Sequence, residues 1–103
     1  KKIEYLYKFI IVSVISPLKK TREIAKQTFG KNYFEIYIFC DLKTLQDRDT
    51  KGLYLKAKTK NLNNLIGYNS KIKYETSLHS KLIVNTKRLN KIKSTEKIIK
   101  YIF

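Results

Sequence analysis

The chain contains no methionine and no tryptophan, and only one cysteine, one proline and three glycines in 103 residues. The lone Cys40 excludes an internal disulfide and accords with a reducing cytoplasm. No apolar run approaches the roughly 20 residues a membrane helix requires, so no membrane partner is expected. The longest such run, residues 9–15, suits a buried strand instead. The start, Lys1-Lys2, carries neither an initiating methionine nor a secretory pattern, and reads as the beginning of a truncated C-terminal portion. His79 is the only histidine and has no Cys, Asp or Glu at metal-ligand spacing, so a surface loop histidine is expected and no metal site.

Acidic residues are scarce as well, 8 against 23 basic ones, for a formal charge of +15. Such a balance raises nucleic acid or an anionic membrane as a partner. The basic residues are nearly all lysines dispersed along the chain, and only Arg22, Arg48 and Arg88 offer the guanidinium fork that suits phosphates and base edges. A solvated lysine surface is the favoured reading, and nucleic acid is not the expected partner. At this length the chain forms at most one small domain, burying only about two-thirds of its unfolded surface, so its stability alone is marginal.

What is present alternates strands with helices. Residues 1–8 have the spacing of a helix tail, residues 9–15 form a β-branched strand, and Ser16-Pro17 stops it. An amphipathic helix follows over 18–29, turning Leu18, Ile24, Ala25 and Phe29 inward, with Gly30 as its C-terminal cap. A strand over 33–40 accounts for Tyr33 and Tyr37, with Cys40 filling space at its end. Asp41 caps a helix over 42–47, and a second helix covers 51–60. Residues 61–80 form a long loop with turn signals at Asn63-Asn64 and 67–70, of the length that often makes a lid. A final strand over 82–84 precedes a helix capped by Asn90 that buries Ile92, Ile98, Ile99 and Ile102, with Tyr101 alongside. This order predicts an α/β fold with a parallel sheet, whose strands gather ligands at their carboxyl ends. Ser16, Asp41 and the loop are expected together at that edge.

The run Asp47-Arg48-Asp49-Thr50-Lys51-Gly52-Leu53-Tyr54-Leu55-Lys56-Ala57-Lys58 resembles the RD-x-KGLY-x-KA segment of adenylylsulfate kinases. The run over 9–15, ending in Ser16-Pro17 and followed by Lys19, Lys20 and Arg22, is similar to the same family's FISP element and its basic sequel. In order and separation the two segments agree with the family from about Lys8 to Phe103. The resemblance implies a P-loop-kinase-type three-layer fold, of which residues 1–103 are the C-terminal part of a single domain. The P-loop half is expected to be missing, because none of Gly30, Gly52 and Gly67 belongs to a G-x-x-x-x-G-K-[ST] phosphate cradle. It also implies transfer of the γ-phosphoryl group of ATP, with Mg, to the 3′-hydroxyl of adenosine 5′-phosphosulfate in cytoplasmic sulfate assimilation, with a homodimer left open. Standing alone, the chain is expected to be inactive.

By the same resemblance Ile15 and Ser16 contact the sulfonucleotide, and Ser16 takes the place of a serine designated a phosphorylated intermediate in some members. Its neighbours supply no evident base, and in-line transfer requires no covalent step, so substrate contact is the milder role and a strand-ending serine the plain one; the resemblance favours a site residue, with Ser16 as the catalytic candidate. Arg48 sits between two carboxylates, where it either fixes a helix end by an ion pair or meets the adenine side of the ATP site. Lys51 and Lys56 align with lid positions around the substrates, and Gly52 gives the lid its turn. Asn64, Leu65 and Gly67 match an N-F-T-G segment whose phenylalanine is replaced by Leu65. An aromatic ring stacked on a base contributes about 1–3 kcal/mol, so Leu65 holds adenine less well. Val14 also replaces a phenylalanine, Leu55 replaces a lysine, and Lys71-Ile72 is an insertion before Tyr74-Glu75. A same-fold kinase for another nucleotide acceptor, a basic binding module and a non-catalytic remnant therefore stay open as alternatives.

Overall fold

Two short parallel strands, β1 (Ile36–Phe39) and β2 (Leu82–Asn85), organise the computed structural model, which describes residues 8–59, 61–76 and 82–103. They pair from Ile36 opposite Leu82 to Phe39 opposite Asn85. Their residues are almost all β-branched or aromatic, the types that suit a pleated surface covered on at least one side. Val84 is 0 % exposed and, with Ala57, makes up the fully buried apolar core among the described residues.

Helix α1 (Lys19–Phe29) precedes β1 and closes at Gly30, whose φ of 55° requires a residue without Cβ and whose N–H reaches the Lys26 carbonyl. A 3-10 turn, Gly30–Asn32, then leads into the strand. After β1 the Asp41 carboxylate accepts from the Thr44 N–H at 3.1 Å and its hydroxyl at 2.7 Å, starting α2 (Leu42–Arg48). Helix α3 (Leu53–Lys58) follows, and α4 (Lys91–Ile102) begins where Asn90 accepts from the Lys93 N–H. Helix α4 packs on β2, with Lys97 Nζ donating to the Ile83 carbonyl at 3.0 Å and Tyr101 meeting the edge of Phe34.

Several expectations are corrected. Residues 9–15 form no strand: they pair with neither β1 nor β2, and without paired edges and covered faces an apolar run has nothing to make it a buried parallel strand. Its side chains lie open, Ile11 at 91 %, and Phe9 touches only the edge of Phe103 among the aromatic rings. On α4, Ile98 and Ile102 are half-buried, but Ile92 and Ile99 are 70 % and 51 % exposed, because β2 covers only one side of a helix whose isoleucines wrap further round. The strand expected over 33–40 is trimmed to the four residues that β2 can match. The helix expected over 51–60 starts later, since Gly52 has a φ of 66° and lies outside helical geometry. Residues 61–76 contain turns and no helix or strand, as a loop should. The expected helix tail, apart from Lys8, lies outside the described residues, as do His79 and the end of the loop.

Candidate functional site

At the carboxyl ends of the two strands the chain builds a small polar corner. Arg48, the last residue of α2, donates from Nη2 to the Thr86 carbonyl at 2.8 Å and from Nη1 towards Cys40 Sγ at 3.8 Å. Thr86 is fixed in turn, since both its N–H and its hydroxyl donate to the Phe39 carbonyl. Arg48 thus braces the end of α2 against the turn after β2. No ion pair joins it to Asp47 or Asp49, contrary to one of the two roles expected for it. Beside it, the Thr44 hydroxyl, then the Thr44 N–H, hold the Asp41 carboxyl below the usual carboxylate range, with Lys87 Nζ at 3.8 Å adding to the effect.

Asp49 has a role that its place next to Arg48 concealed. Its carboxylate accepts from the N–H groups of Tyr54 and Leu55, each at 3.0 Å, and so satisfies the open amino end of α3. Its own backbone sits at a φ of 25°, where the chain turns from α2 to α3. The signal was available as an acidic residue just before a helix, yet Gly52 lies between cap and helix. Within this turn Lys51 is exposed, and with Arg48 and Tyr54 it borders a hollow of about 270 Å³. Lys56 stands exposed further along α3. Arg48 and Lys51 share this hollow, and Lys56 is not among the residues that border it.

A second cluster surrounds Ser16. This residue has a φ of 41°, in the left-handed region, and its carbonyl accepts from Arg22 Nη1 at 2.6 Å. Arg22 is buried, donates from Nη2 to the Glu75 carbonyl, and places Nε 3.5 Å from Glu35 Oε1. Its guanidinium lies 5.1 Å from the centre of the Tyr74 ring, which stacks on Tyr37 of β1 at 5.5 Å. Burial pushes the Tyr74 hydroxyl above its ordinary value, with Arg22 opposing the shift. The Ser16 hydroxyl has no hydrogen-bond partner among the described residues, and the neighbouring Ile15 is exposed. Glu35 precedes β1, so Arg22 links Ser16 to the amino end of that strand, away from the edge that Asp41 occupies. The expectation that Ser16 and Asp41 share one edge is therefore corrected. Arg22 was noted in the sequence only as one of the basic residues after Ser16-Pro17.

The loop 61–76 spans the two clusters. At one end Tyr68 meets the edge of Tyr54 on α3 at 5.9 Å. At the other, the Glu75 N–H donates to the Pro17 carbonyl at 2.7 Å and the Glu75 carboxylate accepts from the Lys19 N–H at 3.1 Å, which caps α1 in place of Leu18. Before Tyr68, Leu65 is half-buried, its carbonyl accepting from the N–H groups of Tyr68, Asn69 and Ser70. Asn69 completes this turn by accepting from the Leu65 N–H and donating to the Leu62 carbonyl, and Gly67 supplies its positive φ of 86°. Asn64 is exposed. Among the described residues no group of three or more acidic, histidine or cysteine side chains gathers as for a metal ion, and no helix is long and apolar enough to cross a membrane.

The family model for adenylylsulphate kinase matches residues 1–85. An adenylyl-sulfate kinase of Oceanobacillus iheyensis is 33 % identical over 93 residues, covering 89 % of this chain and 46 % of the relative. One from Geotalea uraniireducens is 34 % identical, with 90 % and 44 % covered. A cytidine diphosphoramidate kinase of Campylobacter jejuni is 37 % identical over 91 residues, with 88 % and 52 % covered. No solved structure matches. The chain spans about half the length of these relatives. With the match extending across both clusters, the chain belongs to the adenylylsulphate kinase family.

Proposed function

We propose that the protein takes part in transferring the γ-phosphoryl group of ATP to the 3′-hydroxyl of adenosine 5′-phosphosulfate, with magnesium accompanying ATP as part of the substrate. The observation that carries this reading is the junction of α2 and α3, in a chain of this family, where Arg48 ends α2, Lys51 lies on the turn and Lys56 follows on α3, the turn being secured by Asp49 and Arg48 by Thr86. Phosphoryl transfer asks a protein chiefly to hold two partners in line and to neutralise charge on the moving group. Lysines on a capped turn suit the second task, and Arg48 suits contact with the nucleotide of ATP. Ile15, Ser16, Asn64, Leu65 and Gly67 form the acceptor side, joined to the lysine corner by the loop. Arg22 reaches the Ser16 carbonyl, but the Ser16 hydroxyl makes no hydrogen bond to a side chain that could take its proton among the described residues, so we assign it contact with the acceptor and no covalent step.

A backbone phosphate cradle of the G-x-x-x-x-G-K-[ST] type is not written in these 103 residues. We therefore expect the isolated chain to leave ATP and acceptor unconverted. A cytoplasmic setting and a homodimer belong to the same proposal.

Leu65 and the Campylobacter relative favour a second reading, in which the acceptor is another nucleotide, such as cytidine diphosphoramidate. Leu65 is half-buried and offers no aromatic face, so the stacking that would favour adenine in the family's N-F-T-G segment is lost. The test offers ATP and a panel of acceptors to the protein encoded by the whole gene. Turnover of adenosine 5′-phosphosulfate ahead of the others supports the first reading, preference for the cytidine compound replaces it with the second, and conversion of neither removes both.

A further inference from the structure

The geometry points to Arg22 as a positioning residue for the acceptor side: one guanidinium holds the Ser16 turn and the far end of the 61–76 loop in fixed relation. The inference rests on the proposed role of these two segments in contacting the acceptor. Arg22 is 8 % exposed, and a charge so far from water is retained only where partners surround it. Its two terminal nitrogens donate to backbone carbonyls, those of Ser16 and Glu75, from segments distant in sequence. Nε lies 3.5 Å from Glu35 Oε1, an ion-pair distance at which it donates no hydrogen bond, and the guanidinium sits 5.1 Å from the centre of the Tyr74 ring.

Ser16 needs such a partner. A non-glycine residue at a φ of 41° persists only where its surroundings impose the conformation, and the bond from Arg22 fixes the peptide plane between Ser16 and Pro17. Glu75 reinforces the same point, its N–H on the Pro17 carbonyl and its carboxylate on the Lys19 N–H. Three anchor points within four residues, at Ser16, Pro17 and Lys19, thus depend on Arg22 or on the residue it holds. The contacts of Arg48 and Asp49 involve none of these groups. Loss of the Arg22 fork should disturb acceptor contact and spare ATP contact.

Arg22→Lys keeps the buried charge beside Glu35 but removes the planar fork, since an ammonium cannot serve both carbonyls while lying flat on a ring. The variant is made in the protein encoded by the whole gene and compared by amide hydrogen exchange and steady-state kinetics. The expected result is exchange of the Lys19 and Glu75 amides faster by about tenfold or more with the β1 and β2 amides unchanged, an acceptor KM raised about tenfold, and an ATP KM within about twofold. Tyr74→Phe, which keeps the ring, should leave all of these in place. Unchanged exchange at Lys19 and Glu75, loss of protection in β1 and β2 together with them, or a parallel rise in both KM values overturns the inference. Should the unsubstituted protein turn over no acceptor, the proposed function falls, and the exchange comparison alone decides whether Arg22 holds the two segments.

Discussion

Asp49 and Asp41 are both short acids ahead of a helix, yet they respond to different perturbations. Asp49 receives two N–H groups of α3, so Asp49→Ala leaves both without their partner. Removing a cap of this type costs about 1 kcal/mol, and here it frees the turn that carries Lys51. Urea unfolding of the whole-gene protein should show that loss, with Asp49→Asn recovering most of it; equal midpoints for Ala and the native residue would refute the capping role. Asp41 carries a titration. Its carboxyl lies below its ordinary value in the folded protein because Thr44 and Lys87 favour the charged form. The stabilisation is therefore complete above the unfolded value of about 3.9 and disappears as pH falls through the lower folded value. Asp41→Asn should flatten the acid limb of the melting temperature against pH, and an unchanged slope would show that the contact does not outlive averaging in solution. Asp41 stands directly before its helix and its cap was legible in the sequence, whereas Asp49 acts across a turn and its bonds to α3 were not.

At the scale of elements, the bounds of the helices and of β2 were close to what residue patterns predict, since caps, glycine and β-branched runs act locally. The Ser16 turn was not, because its anchors arrive from Arg22, Glu35 and Glu75 through tertiary contact. Nor is the inward face expected of α1 buried: Leu18, Ile24 and Phe29 are exposed, because no described strand lies against them. The strand expected over 9–15 failed for a related reason: a strand is defined by its neighbour, and hydrophobicity alone supplies none. Helix α4 offers a direct measure of local strength. Asn90→Ala removes its cap and should cost about 1 kcal/mol, whereas Val84→Ala opens the centre of its contact with β2 and should cost about 2 kcal/mol or more. Thermal unfolding of the two variants ranks them, and a larger loss for Asn90→Ala would place the strength of this layer in the helix end, against the packing argument.

For the whole molecule the proportions are unusual. The Cα radius of gyration is 15.7 Å, where about 13 Å is expected for a compact domain of about 100 residues. Only Ala57 and Val84 are fully buried apolar residues among those described, while Phe9, Ile10, Ile11, Val12, Val14 and Ile15 lie largely open. Surface of that kind promotes association. The 103-residue chain prepared alone should self-associate at micromolar concentration, and Ile11→Lys should reduce this; sedimentation that finds a monomer in both cases would overturn the expectation. The family was legible because two motifs and their order suffice for it, whereas the acceptor was not, since the sequence shows Leu65 in place of an aromatic residue but not what it touches. The pairing of β1 with β2 carries a further consequence, for synthesis on the ribosome. Thr86, which seals the sheet onto Phe39, lies 47 residues later in the chain. At about 5–20 residues per second the ribosome takes roughly 2–9 s to make that interval. Throughout it β1 emerges without its partner, which makes the nascent chain a client for chaperones that shield unpaired strands.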